Sequence, residues 1–313
     1  MKILIIGSKG FIGSSLCKYF KSKKLKFKTD FGRKKLNLLS LKNFQNLIGN
    51  SKPDVVVNCL GVVGGIQWGL NNKVKIFEEN NLLTLNLLKS IKNKKITLIN
   101  LLANCIYPHH FKKFFEKNIF DGPIHDSVFE YGLSRRMLFS ASKAYADEEL
   151  LNFINLIPSN VYGPNDHFNP IRSHALGGLI AKFHKAKISE LKEVEIWGSG
   201  KPKRDWIYIE DLCKVIYKTI LLNKKLSNLT FNVASGNCIS IRYLAKTIAK
   251  KYNYQGRIIY NKNYTDGDPI KSFDIKLLNK YLNFKNFTDI DTGLEKTIYY
   301  LRKNENKISM PLL

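Results

Sequence analysis

Three glycines at one spacing, Gly7-x-x-Gly10-x-x-Gly13, constrain this chain more than any other feature. The apolar run within residues 2–6 precedes them and reads as a strand buried on both faces. A helical pattern from about Phe11 to Phe20 follows. Glycines at a strand-to-helix turn let backbone N–H groups approach a pyrophosphate, and the helix N-terminus then faces that anion. The pattern therefore predicts a dinucleotide site at the very start of the chain.

Further strands are read at Leu25–Thr29, at Val55-Val56-Val57-Asn58-Cys59-Leu60 after Lys52-Pro53-Asp54, at Ile96–Leu102 and at Phe153–Pro158. Helical periodicity covers 74–92 and the stretch from Tyr131 to about Leu151. Strands alternating with helices imply an α/β fold, a doubly wound parallel Rossmann sheet. After about Val161, Pro164, Pro170 and Gly177-Gly178 break the texture, which points to a smaller mixed α/β C-terminal substrate domain. The expected division gives 1–161 plus about 205–235 to the dinucleotide domain, and 162–204 with 236–313 to the substrate domain.

The dinucleotide's identity turns on a few side chains. Asp30 at the end of the second strand suits a ribose 2′-hydroxyl and so NAD. Lys9 in the glycine loop and Arg33 beyond the strand suit a 2′-phosphate. Two cations outweigh one acid, so the balance points to NADPH, with NAD the alternative.

Among 313 residues, 51 Lys and Arg face 25 Asp and Glu, a net charge of +26. The lysines are scattered over every kind of segment and form no block interleaved with aromatics, so no nucleic-acid partner is expected. A coding bias toward Lys, Asn, Ile and Phe accounts for them, and they help attract anionic ligands. The five cysteines, at 17, 59, 105, 213 and 238, contain no C-x-x-C pair, so no metal is expected from them. No apolar stretch reaches the length of a membrane span and the N-terminal run is too short for a signal peptide, so a cytoplasmic protein without a membrane partner is expected.

Several segments together resemble the GDP-L-fucose synthase family, the GDP-4-keto-6-deoxy-mannose epimerase/reductases of the extended short-chain dehydrogenase class. They are Val63-Gly64-Gly65-Ile66, Cys105-Ile106-Tyr107-Pro108, Pro158 through Asp166, Ser173-His174, Trp197 through Asp205, Asn232 through Gly236 and Asp266-Gly267-Asp268-Pro269. The glycine loop is similar to that class's version. The resemblance implies that a 4-ketone acidifies the sugar protons at carbons 3 and 5, that Cys105 and His174 exchange them, and that NADPH delivers hydride to carbon 4 while a tyrosine protonates the oxygen. It also implies a cofactor cradle of Gly7, Lys9, Gly10, Phe11, Ile12, Gly13, Leu60, Gly61, Asn80, Pro158 and Asn160. A GDP-linked sugar would meet Asn160, His174, Lys182, Trp197, Arg204 and Asp268, with Arg204 pairing the pyrophosphate. A homodimer is implied as well.

Two positions depart from the pattern. The family's serine two residues before the cysteine is Ala103 here, and Asn104 is the neighbouring candidate to replace it. The Tyr-x-x-x-Lys helix is either Tyr131-Gly-Leu-Ser-Arg135 or Phe139-Ser-Ala-Ser-Lys143. A helix re-crossing the sheet needs a span on the order of 25 Å, which only the first leaves room for. Tyr131 and Arg135 are therefore the expected redox pair, with Phe139 a packing residue. An arginine keeps the positive charge and cannot lose its proton. The alternatives are a C4 oxidoreductase or epimerase of another nucleotide sugar, and a catalytically impaired dinucleotide-binding partner protein.

Overall fold

The computed structural model describes residues 1–32, 35–148, 151–169, 173, 175–264 and 266–307. Arg33 and His174 lie outside the described residues.

The chain opens with β1 (Ile3–Ile6), α1 (Phe11–Ser22), β2 (Phe27–Thr29), α2 (Leu41–Ser51) and β3 (Val55–Asn58). A short α3 (Ile66–Leu70) and a long α4 (Lys73–Ile91) lead to β4 (Thr97–Leu101). Next come β5 (Lys113–Phe114), α5 (Phe129–Glu148), β6 (Asn152–Pro158), β7 (Asn160–Tyr162), α6 (Ala175–Ile188), β8 (Glu193–Trp197), β9 (Lys203–Tyr208) and α7 (Ile209–Leu221). The last elements are β10 (Leu229–Val233), β11 (Cys238–Ser240), α8 (Ile241–Tyr252), β12 (Arg257–Asn261), β13 (Ile270–Phe273), α9 (Lys276–Leu282) and α10 (Ile290–Lys303).

The central sheet has six strands in the order β10-β6-β4-β3-β1-β2, every pair parallel. Its strands are apolar on both faces, and the two-residue period divides them cleanly. Ile3, Ile5, Val55, Val57, Ile99 and Ile154 join one core with Leu16 and Phe20 of α1 and Leu212 and Ile216 of α7. Leu4, Ile6, Val56 and Leu98 join the other with Phe44, Leu47 and Ile48 of α2 and Leu87, Leu88 and Ile91 of α4. The chain winds outward from β1 to β2 on one side and to β3 on the other. That reversal opens a crevice beyond the C-terminal ends of β1 and β3.

The second half builds a five-stranded sheet, β11-β9-β13-β5 with β7 beside β9, and a two-stranded β12-β8 pair. Asn160–Tyr162 runs in register with Trp206–Tyr208. The chain thus leaves the central sheet at Pro158 and rejoins it through α7 and β10, whereas β9 itself belongs to the second sheet. Asp205 ties the join: buried, it accepts hydrogen bonds from Ser159 Oγ at 2.9 Å and from Ser235 N at 2.9 Å.

Candidate active site

The glycine loop sits at the crevice. Gly7 has φ +76°, and a Cβ there would stand 2.6 Å from the Cys59 carbonyl carbon, so only glycine fits between β1 and β3. A Cβ on Gly13 would strike the Gly7 carbonyl oxygen at 2.2 Å, so the first turn of α1 packs against the loop. Phe11 and Ile12 open that helix. Asp30 is buried at 3% exposure. Its oxygens accept Gly7 N at 2.9 Å, Ser8 N at 3.1 Å and the Ser8 hydroxyl. The acid expected to hold a ribose also braces the glycine loop, and its burial calls for such partners. Lys9 lies across Gly32, whose absent Cβ would meet the lysine stem at 2.4 Å. Gly7, Lys9, Gly10, Asp30, Leu60 and Gly61 all line one cleft.

Tyr131 and Arg135 lie at the Gly61 edge of that cleft. α5 carries Tyr131 and Arg135 one turn apart, so both project from one face. The Arg135 guanidinium carbon lies 4.7 Å from the Tyr131 ring centroid. Arg135 is buried at 3% exposure. It donates through Nη1 to the Leu60 carbonyl at 3.2 Å and through Nη2 to Asn80 Oδ1 at 2.5 Å. Asn80 in turn accepts from Val62 N at 3.0 Å and donates to the Val62 carbonyl at 2.9 Å. It therefore grips the loop after β3 as well as the guanidinium. A Cβ on Gly61 would stand 3.4 Å from the Tyr131 hydroxyl and 3.5 Å from Arg135 Nη2, so this glycine opens the space both groups face. Burial raises the Tyr131 phenol; Arg135 pulls it down and Cys105 adds to the rise.

Phe139 packs instead in a separate cluster with Leu102, Ile106 and Tyr107, edge-on to Phe120 at 5.6 Å. Lys143 is exposed. Of the two candidate pairs, Tyr131 and Arg135 are the ones that face Gly61.

Cys105 occupies a single 3-10 turn, Asn104–Ile106, that follows β4. Its carbonyl packs so tightly on Gly132 that a Cβ there would approach to 2.6 Å, which sets the turn beside Tyr131. Arg136 clamps the turn by donating to the Ile106 and Gly122 carbonyls, each at 2.9 Å. Burial pushes the Cys105 thiol up to about 12, against the pull of Arg135, Lys271 and Arg136. Asn104 donates to Asn160 Oδ1 at 3.3 Å, and Asn160 donates to the Asp205 carbonyl at 2.8 Å. Asn104 therefore reaches the join between the sheets through Asn160. Pro158 ends β6 directly before that join.

The remaining candidates gather on the second sheet's side. Trp197 is 60% exposed, stacks on Tyr264 at 4.7 Å and carries the Lys182 ammonium 4.8 Å from its ring centroid. Burial lowers the Lys182 pKa, opposed by Glu195. Arg204 donates to the Asp268 carbonyl at 2.7 Å, and the Asp268 carboxylate pairs with Lys271 at 2.7 Å. Among the described residues no group of three or more His, Cys, Asp or Glu side chains could hold a metal ion, and no helix is long and apolar enough to cross a membrane. The clamp that Arg136 places on the cysteine turn and the tie that Asp205 makes at the join were missed in the sequence; only contacts between distant segments reveal them.

A doubly wound sheet with a glycine loop at its crevice, faced by a tyrosine and a cation on one helix, defines a dinucleotide-binding enzyme of the extended short-chain dehydrogenase class. Residues 3–234 match the NAD dependent epimerase/dehydratase family, and the chain belongs to it. It is 33% identical to the GDP-L-colitose synthase of Yersinia pseudotuberculosis over 98% of this chain and 99% of that protein. It is 25% identical to the GDP-L-fucose synthase of Escherichia coli K12, over 98% of each chain. The crystal structure of a GDP-L-fucose synthetase from Naegleria fowleri bound to NADP superposes with a TM-score of 0.89, at 24% identity, covering 97% of this chain and 93% of that one.

Proposed function

We propose that the protein is an epimerase/reductase of a GDP-linked 4-keto sugar, with NADPH as its cofactor. The observation that carries this reading is the Tyr131–Arg135 pair fixed beside the glycine-loop cleft. The names of the relatives support the GDP-linked substrate. Gly7, Lys9, Gly10 and Gly13 would receive the dinucleotide, with Leu60, Gly61 and Asn80 along its nicotinamide end. Bound NADPH supplies the hydride for carbon 4. Tyr131 gives its proton to the carbon-4 oxygen, and Arg135 stabilises the phenolate left behind. Trp197, Lys182, Arg204 and Asp268 would hold the nucleotide.

Cys105 rests as a neutral thiol, because burial holds its proton on. On substrate binding Cys105 gives up that proton and acts as the base of the exchange pair, with His174 as the acid. Cys105 takes the proton at carbon 3 or 5, the electron pair moves onto the ketone oxygen, and His174 returns a proton to the carbon from the other face. Incubation with a GDP-4-keto sugar in D₂O should place deuterium at carbon 3 or 5, and Cys105→Ser should lose it. Absence of deuterium in the parent would sink the epimerase half.

A second reading, a C4 oxidoreductase without epimerisation, is favoured by the same reluctance of Cys105 to ionise. NADPH consumption without deuterium uptake would establish it. The proposal extends to a homodimer, supported by the exposed apolar side chains Ile66, Leu70, Val74 and Phe77 along α3 and α4.

A further inference from the structure

We propose that Asn58 is a positioning residue for Arg135, aimed by a row of buried amides that crosses the central sheet. The inference rests on the role given above to the Tyr131–Arg135 pair.

Asn58, Asn100 and Asn155 sit at matching registers on β3, β4 and β6, with Thr230 opposite on β10. The three asparagines are 4%, 0% and 0% exposed, among strands made mainly of Val, Ile and Leu. Their hydrogen bonds all run one way. Leu60 N donates to Asn58 Oδ1 at 3.1 Å, and Asn58 Nδ2 donates to Asn100 Oδ1 at 3.1 Å. Asn100 Nδ2 donates to Asn155 Oδ1 at 3.1 Å, and Asn155 Nδ2 donates to Thr230 Oγ1 at 3.3 Å. Turning any one amide would set donor against donor and acceptor against acceptor, a costly mismatch at buried groups. The row therefore has a single direction.

That direction reaches the site twice. At its near end the row fixes the Leu60 N–H, and the Leu60 carbonyl is an anchor of Arg135. In its middle, Asn100 also donates to Ser142 Oγ at 3.1 Å. Ser142 lies on α5 seven residues beyond Arg135, two turns along the same buried face. The row thus ties the loop and the helix to one sheet, and sets the gap that the guanidinium spans. A stability role alone would not require one amide at the loop and another under the helix.

The test reads the Tyr131 phenol in the ligand-free protein, so it does not depend on any substrate. Arg135 and Cys105 are the charged or titratable groups that face this phenol. 3-Fluorotyrosine placed at position 131 reports its titration by fluorine NMR. Asn58→Leu should loosen Arg135 and move the midpoint up. Thr230→Val, at the far end of the row, should lower Tm while leaving the midpoint in place. With a GDP-4-keto sugar, Asn58→Leu should also lower kcat by about tenfold with KM little changed. If Asn58→Leu does not fold, Ser142→Ala removes one hydroxyl and should move the midpoint in the same direction. An unmoved midpoint in the variant that folds overturns the proposal, and so does an equal movement in Thr230→Val. Loss of turnover in the parent, with the midpoint still moving, would defeat the assigned reaction and leave the positioning role standing.

Discussion

The Arg135 guanidinium lies 4.7 Å from the centre of the Tyr131 ring while its two Nη groups are held by Leu60 and Asn80. A cation so fixed cannot follow the phenol; it presents a constant field to it. Arg135→Ala should therefore do two things. It leaves Asn80 Oδ1 short of a donor inside the protein, and it removes the charge that opposes the rise of the Tyr131 phenol. The alkaline limb of the kcat profile should move to higher pH, and NADPH-dependent reduction should fall by about 10² or more. Steady-state rates across pH check both, and an unchanged limb would remove Arg135 from the redox site.

Ala103 sits extended, at φ −146° and ψ 154°, directly before the Cys105 turn. It has no hydroxyl to offer, and Asn104 is committed to Asn160. Ala103→Ser should restore a donor to the ketone and raise hydride transfer by about tenfold, given that one such donor is commonly worth 10²–10³. NADPH consumption with a GDP-4-keto sugar measures it. A fall in rate would show that the site is fitted to a substrate that the hydroxyl obstructs.

Asp166 is 7% exposed, and burial pushes its carboxyl up to about 7 against the pull of the His167 N–H. A carboxyl with a raised folded pKa holds its proton longer in the native than in the unfolded chain. Stability from this group is therefore full at low pH and lost as pH rises from about 4, the ordinary range for an aspartate, toward 7. Asp166→Asn keeps the acceptor for His167 N and removes the titration. Its Tm should exceed the parent's by at least ~2 °C at pH 8, and the difference should vanish near pH 4. A gap of the same size at both pH values would contradict the assignment.

What could be read in the sequence was local. The glycine loop declares itself because three glycines, a strand and a helix lie within twenty residues. The choice of Tyr131 over Phe139 depended on helix length; the packing of Phe139 with Leu102 and Ile106 could not be read along the chain. Helix α2 carried a signal that was passed over: Ser40 caps it by accepting Asn43 N at 3.4 Å, and Phe44, Leu47 and Ile48 form its buried face. The asparagine row could not be read at all. Residues 58, 100 and 155 become neighbours only through strand register, and no spacing along the chain encodes that. Asp30 was visible as an acid at a strand end, but its partners were not, since a carboxylate's allegiance depends on which N–H groups the fold brings to it.

The bonds from Asp30 to Gly7 and Ser8 exist in the chain by itself. A glycine-rich turn without such a brace would sample many shapes, and a ligand would have to select one of them at an entropic cost. Here the carboxylate has already made that selection. Asp30→Ala should therefore reveal itself less in where a dinucleotide settles than in the thermodynamics of its arrival, with a more unfavourable entropy offsetting whatever contacts remain.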